Sequence, residues 1–138
     1  MYKDLYIFPA IIIKLDYNDY NVKFPNFDEI TTYGESLEEA YIMAEDALKL
    51  CLFDMFIDNK EIQEPTKLED IKIESTQTII LVKVNLKETI RSYDNKAIKK
   101  TLTIPSWLNK EAENAHLNFS KILQIALKEH LDMSDKNL

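Results

Sequence analysis

The chain has 138 residues, 46% of them hydrophobic and 30% charged, which suffices for one ordinary domain and a small appendage. A single cysteine, Cys51, excludes an intramolecular disulfide framework and fits a reducing cytoplasm, and a single glycine excludes a Gly-rich phosphate loop. The net charge of -7 argues against a nucleic-acid partner for the chain as a whole, but residues 1–95 hold 10 Lys and Arg against 19 Asp and Glu, whereas the remainder holds 7 against 5.

An acidic body with a mildly basic tail suggests two partners of opposite charge, although acidic surfaces also serve plain solubility. Met1-Tyr2-Lys3-Asp4 leads straight into strand-like sequence without a signal-peptide pattern. The longest apolar run, Ile7 to Ile13, is far too short to span a bilayer. A soluble cytoplasmic protein with no membrane partner is expected.

In chain order, Asp4 to Leu15 reads as a strand. Leu5, Ile7, Pro9, Ile11 and Ile13 lie on one face and Tyr6, Phe8, Ala10 and Ile12 on the other, as a central strand requires, and Pro9 marks a bulge or a break in pairing. Asp16-Tyr17-Asn18-Asp19 is turn chemistry, and Tyr20 to Phe24 returns as a second strand. Pro25-Asn26 interrupts it, and Ile30 to Tyr33 forms a third strand closed by Gly34.

Ser36 and Glu39 then form a capping box. Leu37, Ala40, Tyr41, Ala44, Ala47, Leu48, Cys51, Leu52 and Met55 follow with helical spacing, while Glu38, Glu45, Asp46, Lys49 and Asp54 decorate the opposite face. After a polar loop over residues 58–75, Thr76 to Val84 is a fourth strand. The order β-β-β-α-β predicts a two-layer α+β body with its helix on one face. Asn85 to Asn95 reads as a link with room for a helical turn.

The tail is the most informative stretch. Lys96 to Pro105 is a short alternating strand, followed by helical patterns over Ser106 to Ala115 and Phe119 to Leu131. A lone strand needs a ladder partner and cover for its apolar face, and the simplest partner is the same strand of a second copy. Two such strands with four helices make a ribbon-helix-helix dimer, whose ribbon enters the DNA major groove. Leu102 and Ile104 share the inward parity; Lys99, Thr101 and Thr103 face outward, where they read base edges, and Lys100 snorkels towards phosphate. Asn118 is the N-cap of the second helix, whose start, with Ser120 and Lys121, can grip a phosphate. Leu102, Ile104, Leu108, Phe119, Ile122, Leu123 and Leu127 form the dimer core, with Ala112, Ala115, Ala126 and Leu131, and Trp107 joins it or covers the first helix.

Phe8-Pro9-Ala10-Ile11, Phe24-Pro25-Asn26-Phe27, Thr32, Gly34, Ser36 and Leu37-Glu38-Glu39-Ala40 occur in the order seen in one family, and the tail matches as well, over Lys99 to Asn109 and Asn118 to Gln124. On these motifs the chain resembles the HicB family of antitoxins from type II toxin–antitoxin operons. It departs where the family has Pro-Gly-Cys, carrying Asp28-Glu29-Ile30 instead, so the loop there is expected to differ.

The resemblance implies a degenerate ribonuclease-H-like body over 1–88, a linker over 89–95 and a ribbon-helix-helix module over 96–133. It further implies that the body neutralises a HicA-like toxin, a small basic ribonuclease, and that the tail binds operator DNA as a homodimer or a higher even-numbered oligomer. The alternatives are a standalone ribbon-helix-helix regulator whose N-terminal domain binds a ligand or protein, and a ribonuclease-H-like nuclease. Such nucleases hold metal ions with a carboxylate in the middle of the first strand. Here that stretch, Tyr6 to Ile13, is wholly apolar, with Asp4 and Asp16 beyond its ends, so no catalysis is expected. No metal site or cofactor is expected either: His116 and His130 fall in separate helices, and Cys51 lies on the apolar stripe.

Overall fold

A computed structural model of the chain describes residues 1–131, so the last two positions of the expected 96–133 module lie outside the described residues. The contacts divide the chain into a body, Met1–Lys96, and a tail unit that begins at Ala97. The body contains β1 (Leu5–Lys14), β2 (Tyr20–Phe24), β3 (Phe27–Gly34), α1 (Leu37–Ile57), β4 (Gln77–Asn85) and α2 (Leu86–Tyr93). Its strands form one antiparallel sheet in the order β3-β2-β1-β4. The α+β class and the expected β-β-β-α-β order therefore hold, with α2 added.

The alternation in β1 decides which way the sheet faces. Tyr6, Phe8, Ala10 and Ile12 are buried in the core with Val22, Phe24, Val82 and Val84, whereas Leu5 and Ile7 on the other face are exposed. Pairing to β4 runs unbroken through Pro9, which faces Leu81, but pairing to β2 starts only at Ile11. The latter limit is set by the end of β2 at Phe24, so the bulge or break expected at Pro9 is not found: its missing N–H falls where β1 has no β2 partner.

β3 begins earlier than the expected Ile30. Phe24 faces Phe27 across the Pro25-Asn26 turn, whereas Lys23 faces Thr31, so Asp28, Glu29 and Ile30 are absorbed as a register shift inside the strand. This corrects the expected loop. Phe27 and Ile30 are both buried, and these anchors hold the extra residues against the sheet.

α1 starts as its capping box predicts, with one difference. The Ser36 hydroxyl accepts from the Glu39 N–H at 3.1 Å, but the Glu39 carboxylate accepts from the Glu35 N–H at 3.4 Å, one residue before the cap. Ala40, Ala44, Leu48 and Leu52 are buried against the sheet, with Tyr41, Ala47, Cys51 and Met55 at the margins. Leu37, at the head of the stripe, is exposed. Small side chains let the helix approach closely. A Cβ built on Gly34 would lie 2.6 Å from Ala40 Cα, so it is proximity to the first turn of α1 that requires glycine there.

The connection over 58–75 is tied down. The Tyr2 hydroxyl donates to the Lys60 carbonyl at 2.7 Å, and Lys3 pairs with Glu64 at 3.1 Å. The Asn26 amide donates to the Glu64 carbonyl at 3.0 Å and accepts from the Thr66 N–H at 2.9 Å.

The expected linker over 89–95 is mostly helix. Asn85 caps α2 by accepting from the Glu88 N–H at 3.0 Å, and Leu86 and Thr89 are buried. The Thr89 hydroxyl donates to the Asn85 carbonyl at 2.8 Å. Tyr93 meets Phe53 of α1 edge to face at 5.3 Å. These contacts join α2 to the body and put its end at Lys96 rather than residue 88.

The tail unit contains α3 (Ser106–Asn114) and α4 (Phe119–His130), close to the expected bounds. His116 lies in the turn between them at φ 55°, not on a helix as expected. Residues 96–105 have no strand pairing among the described residues. Ala112 is buried, while Leu108, Phe119, Ile122 and Leu127 remain exposed.

Candidate functional site

The residues expected to meet DNA fall in two groups within the tail unit. Lys99, Thr101 and Thr103 are exposed along the open stretch before α3, together with the expected core residues Leu102 and Ile104. Asn118, Ser120 and Lys121 lie together at the start of α4. The Asn118 side-chain oxygen accepts from the Lys121 N–H at 3.0 Å, so it serves as the cap. Ser120 and Lys121 are exposed in the first turn, beside the positive end of the helix dipole. Of the expected dimer-core residues, Leu123 is half-buried and the other six are exposed.

In the body, Tyr6, Phe8, Ala10 and Ile12 from the apolar middle of β1 pack into the core, while Ile7 on its other face is exposed. Asp4 precedes the strand, where its carbonyl accepts from the Leu86 N–H at 2.7 Å, and Asp16 opens the 3-10 turn that follows. Among the described residues, no group of three or more His, Cys, Asp or Glu side chains is placed to hold a metal ion. No helix among them is long and apolar enough to cross a membrane.

Cys51 is half-buried, with its Sγ 3.8 Å from the Glu29 carboxylate. Burial, and then the Glu29 charge, push its thiol up to about 11, which leaves it protonated and unreactive near neutral pH. Tyr33 is held up at about 12, chiefly because its hydroxyl donates to the Asp19 carboxylate at 2.7 Å. Lys49 is raised by its contact with Glu45 at 3.2 Å, one turn away on α1.

One surface is missing from the sequence reading. The solvent side of α1 is not purely acidic: Ile42, Met43, Leu50 and Ile57 are exposed there among Glu38, Glu39, Asp46 and Asp54. The signal lay in the sequence, since apolar residues run all the way round this helix, a pattern that belongs to a helix covered on more than one side. It was masked because the inner stripe alone accounted for the fold.

Comparison with known proteins places this geometry. No curated protein matches the chain significantly. Among solved structures, a chain of a toxin–antitoxin complex from Streptococcus pneumoniae is 28% identical, with a TM-score of 0.58 over 91% of this chain and 99% of that one. The Burkholderia pseudomallei antitoxin HicB shares the fold at 19% identity, with a TM-score of 0.54 over 91% of this chain and 98% of its own. The family model described as the HicB-like antitoxin of bacterial toxin–antitoxin systems matches residues 8–126, which takes in most of the body, α3 and much of α4. The chain belongs to the HicB-like antitoxin family.

Proposed function

We propose that this antitoxin neutralises a HicA-like toxin, a small basic mRNA-cleaving ribonuclease, through its body, and represses its own operon by binding operator DNA through its tail. The observation that carries the reading is the family match across 8–126, joined to the likeness to a chain found in a toxin–antitoxin complex. The body is a degenerate ribonuclease-H-like domain that acts by stoichiometric cover in the cytoplasm, without chemistry of its own. An excess of acidic groups over residues 1–95 suits a basic partner. Co-expression with the cognate HicA-like toxin should restore growth, and a chain ending at Lys96 should still do so. Growth arrest despite a folded, soluble body would reject the reading.

The tail dimerises by pairing its 99–104 strand with that of a second copy, over a core of Leu102, Ile104, Leu108, Phe119, Ile122, Leu123 and Leu127. Lys99, Thr101 and Thr103 then face base edges, while Asn118, Ser120 and Lys121 bring the start of α4 to a phosphate. Exposed apolar side chains in the isolated tail unit favour this arrangement, because a unit so small retains little core without a second copy. Lys99→Ala or Thr101→Ala should leave the dimer intact and weaken operator binding by about 1–3 kcal/mol per contact, felt at both half-sites. Lys121→Ala should weaken binding to all sequences alike and flatten its salt dependence. Operator titrations at two salt concentrations separate these outcomes, and wild-type affinity in both ribbon variants would remove the ribbon as the reading element.

A further inference from the structure

Met43, Leu50 and Ile57 stand at intervals of two turns along α1, in line on its solvent side, with Ile42 one position from the line. Ile42 is 58% exposed, and Leu50 and Ile57 are each 53% exposed. Beside this stripe, a groove of about 360 Å³ runs between α1 and β3, an edge strand of the sheet. Glu29, Thr32, Ala47, Leu50, Cys51 and Asp54 line it. Glu29, Glu39, Asp46, Asp54 and Asp58 surround the stripe and groove, and Lys60 is the cation among the groove residues.

An apolar centre within an acidic rim is the form of a protein interface whose partner carries Lys and Arg around an apolar centre of its own. The opposite face of the sheet also exposes Leu5, Ile7 and Leu81, but its neighbouring charges include Lys23 and Lys83, the wrong sign for a basic partner. Resting on the antitoxin reading, we propose that the solvent side of α1 and the α1–β3 groove form the surface on which the basic toxin docks, with Leu50 as its apolar anchor and Asp54 as a steering charge.

The test uses the full chain and a catalytically inactive form of the proposed HicA-like toxin, with binding measured by calorimetry at two salt concentrations. Leu50→Arg should weaken binding by about 100-fold, as loss of a central anchor does. Asp54→Lys replaces an exposed side chain without disturbing the core; it should weaken binding at the lower salt concentration and reduce the salt dependence. Leu81→Arg, on the opposite sheet face, should bind like wild type. Wild-type affinity in both α1 variants would overturn the surface while leaving the antitoxin reading intact, as would loss of binding in Leu81→Arg alone. A change of oligomeric state in Leu50→Arg would assign the stripe to contacts between copies instead. A wild-type chain that does not bind this toxin at all would overturn both the surface and the reading on which it rests.

Discussion

Leu123→Asp is expected to abolish dimerisation and with it all operator binding, while the body keeps its fold. In the single chain Leu123 is the half-buried member of the expected tail core; Phe119 is 46% exposed and Leu127 is 52% exposed. Burying a leucine is worth about 1.5–3 kcal/mol, and a second copy supplies that burial twice. A carboxylate in its place must be desolvated or protonated in both copies, at a cost of several kcal/mol each. The dimer constant should therefore weaken by more than about 1000-fold. Sedimentation should show a monomer, and a thermal melt should show the body transition unmoved. A dimer that persists in Leu123→Asp would place the contact between copies elsewhere.

Gly34→Ala should have the largest effect within the body. The new methyl would lie 2.6 Å from Ala40 Cα and 2.9 Å from its Cβ, and neither can rotate away, because Ala40 is fixed in the first turn of α1. Relief requires the helix to move off β3, which loosens the packing of Ala40, Ala44 and Leu48. Overpacking of this kind costs about 1–3 kcal/mol, and a backbone clash belongs at the upper end. For a body of this size that lowers the melting midpoint by roughly 10 °C or more. A midpoint within about 2 °C of wild type would show that α1 can shift at no cost.

Much of the body was legible because its signals are local. The Tyr20–Phe24 strand follows from strict alternation between turn residues, and α1 from a serine cap and an inward stripe. What escaped depends on tertiary contact. The Asp28-Glu29-Ile30 segment reads as a loop because the sequence does not reveal that Phe27 is already buried at the hairpin. The residues of α2 read as a link because eight residues are too few to mark a helix by periodicity; Phe53, far away in the sequence, gives Tyr93 its partner. In the tail, α4 is legible from its Asn118 cap and both helices from their spacing, but the expected ribbon residues find no strand partner among the described residues. The exposed side of α1 went unread for a related reason, since a surface meant for a partner looks in sequence like surplus hydrophobicity.

The anchoring of the 58–75 connection bears on how the body opens. Left free, a segment of that length would be the first part of the chain to detach, giving proteases a handle. Instead, Tyr2 and Lys3 hold it from one side and Asn26 from the other, so its fluctuations are confined to short arcs on either side of the clamp. The first residues of the chain thereby act as a latch. Trimming back to Asp4 would leave the segment to Asn26 and Ile62, and nicking within it would become a measure of how firmly the latch had closed.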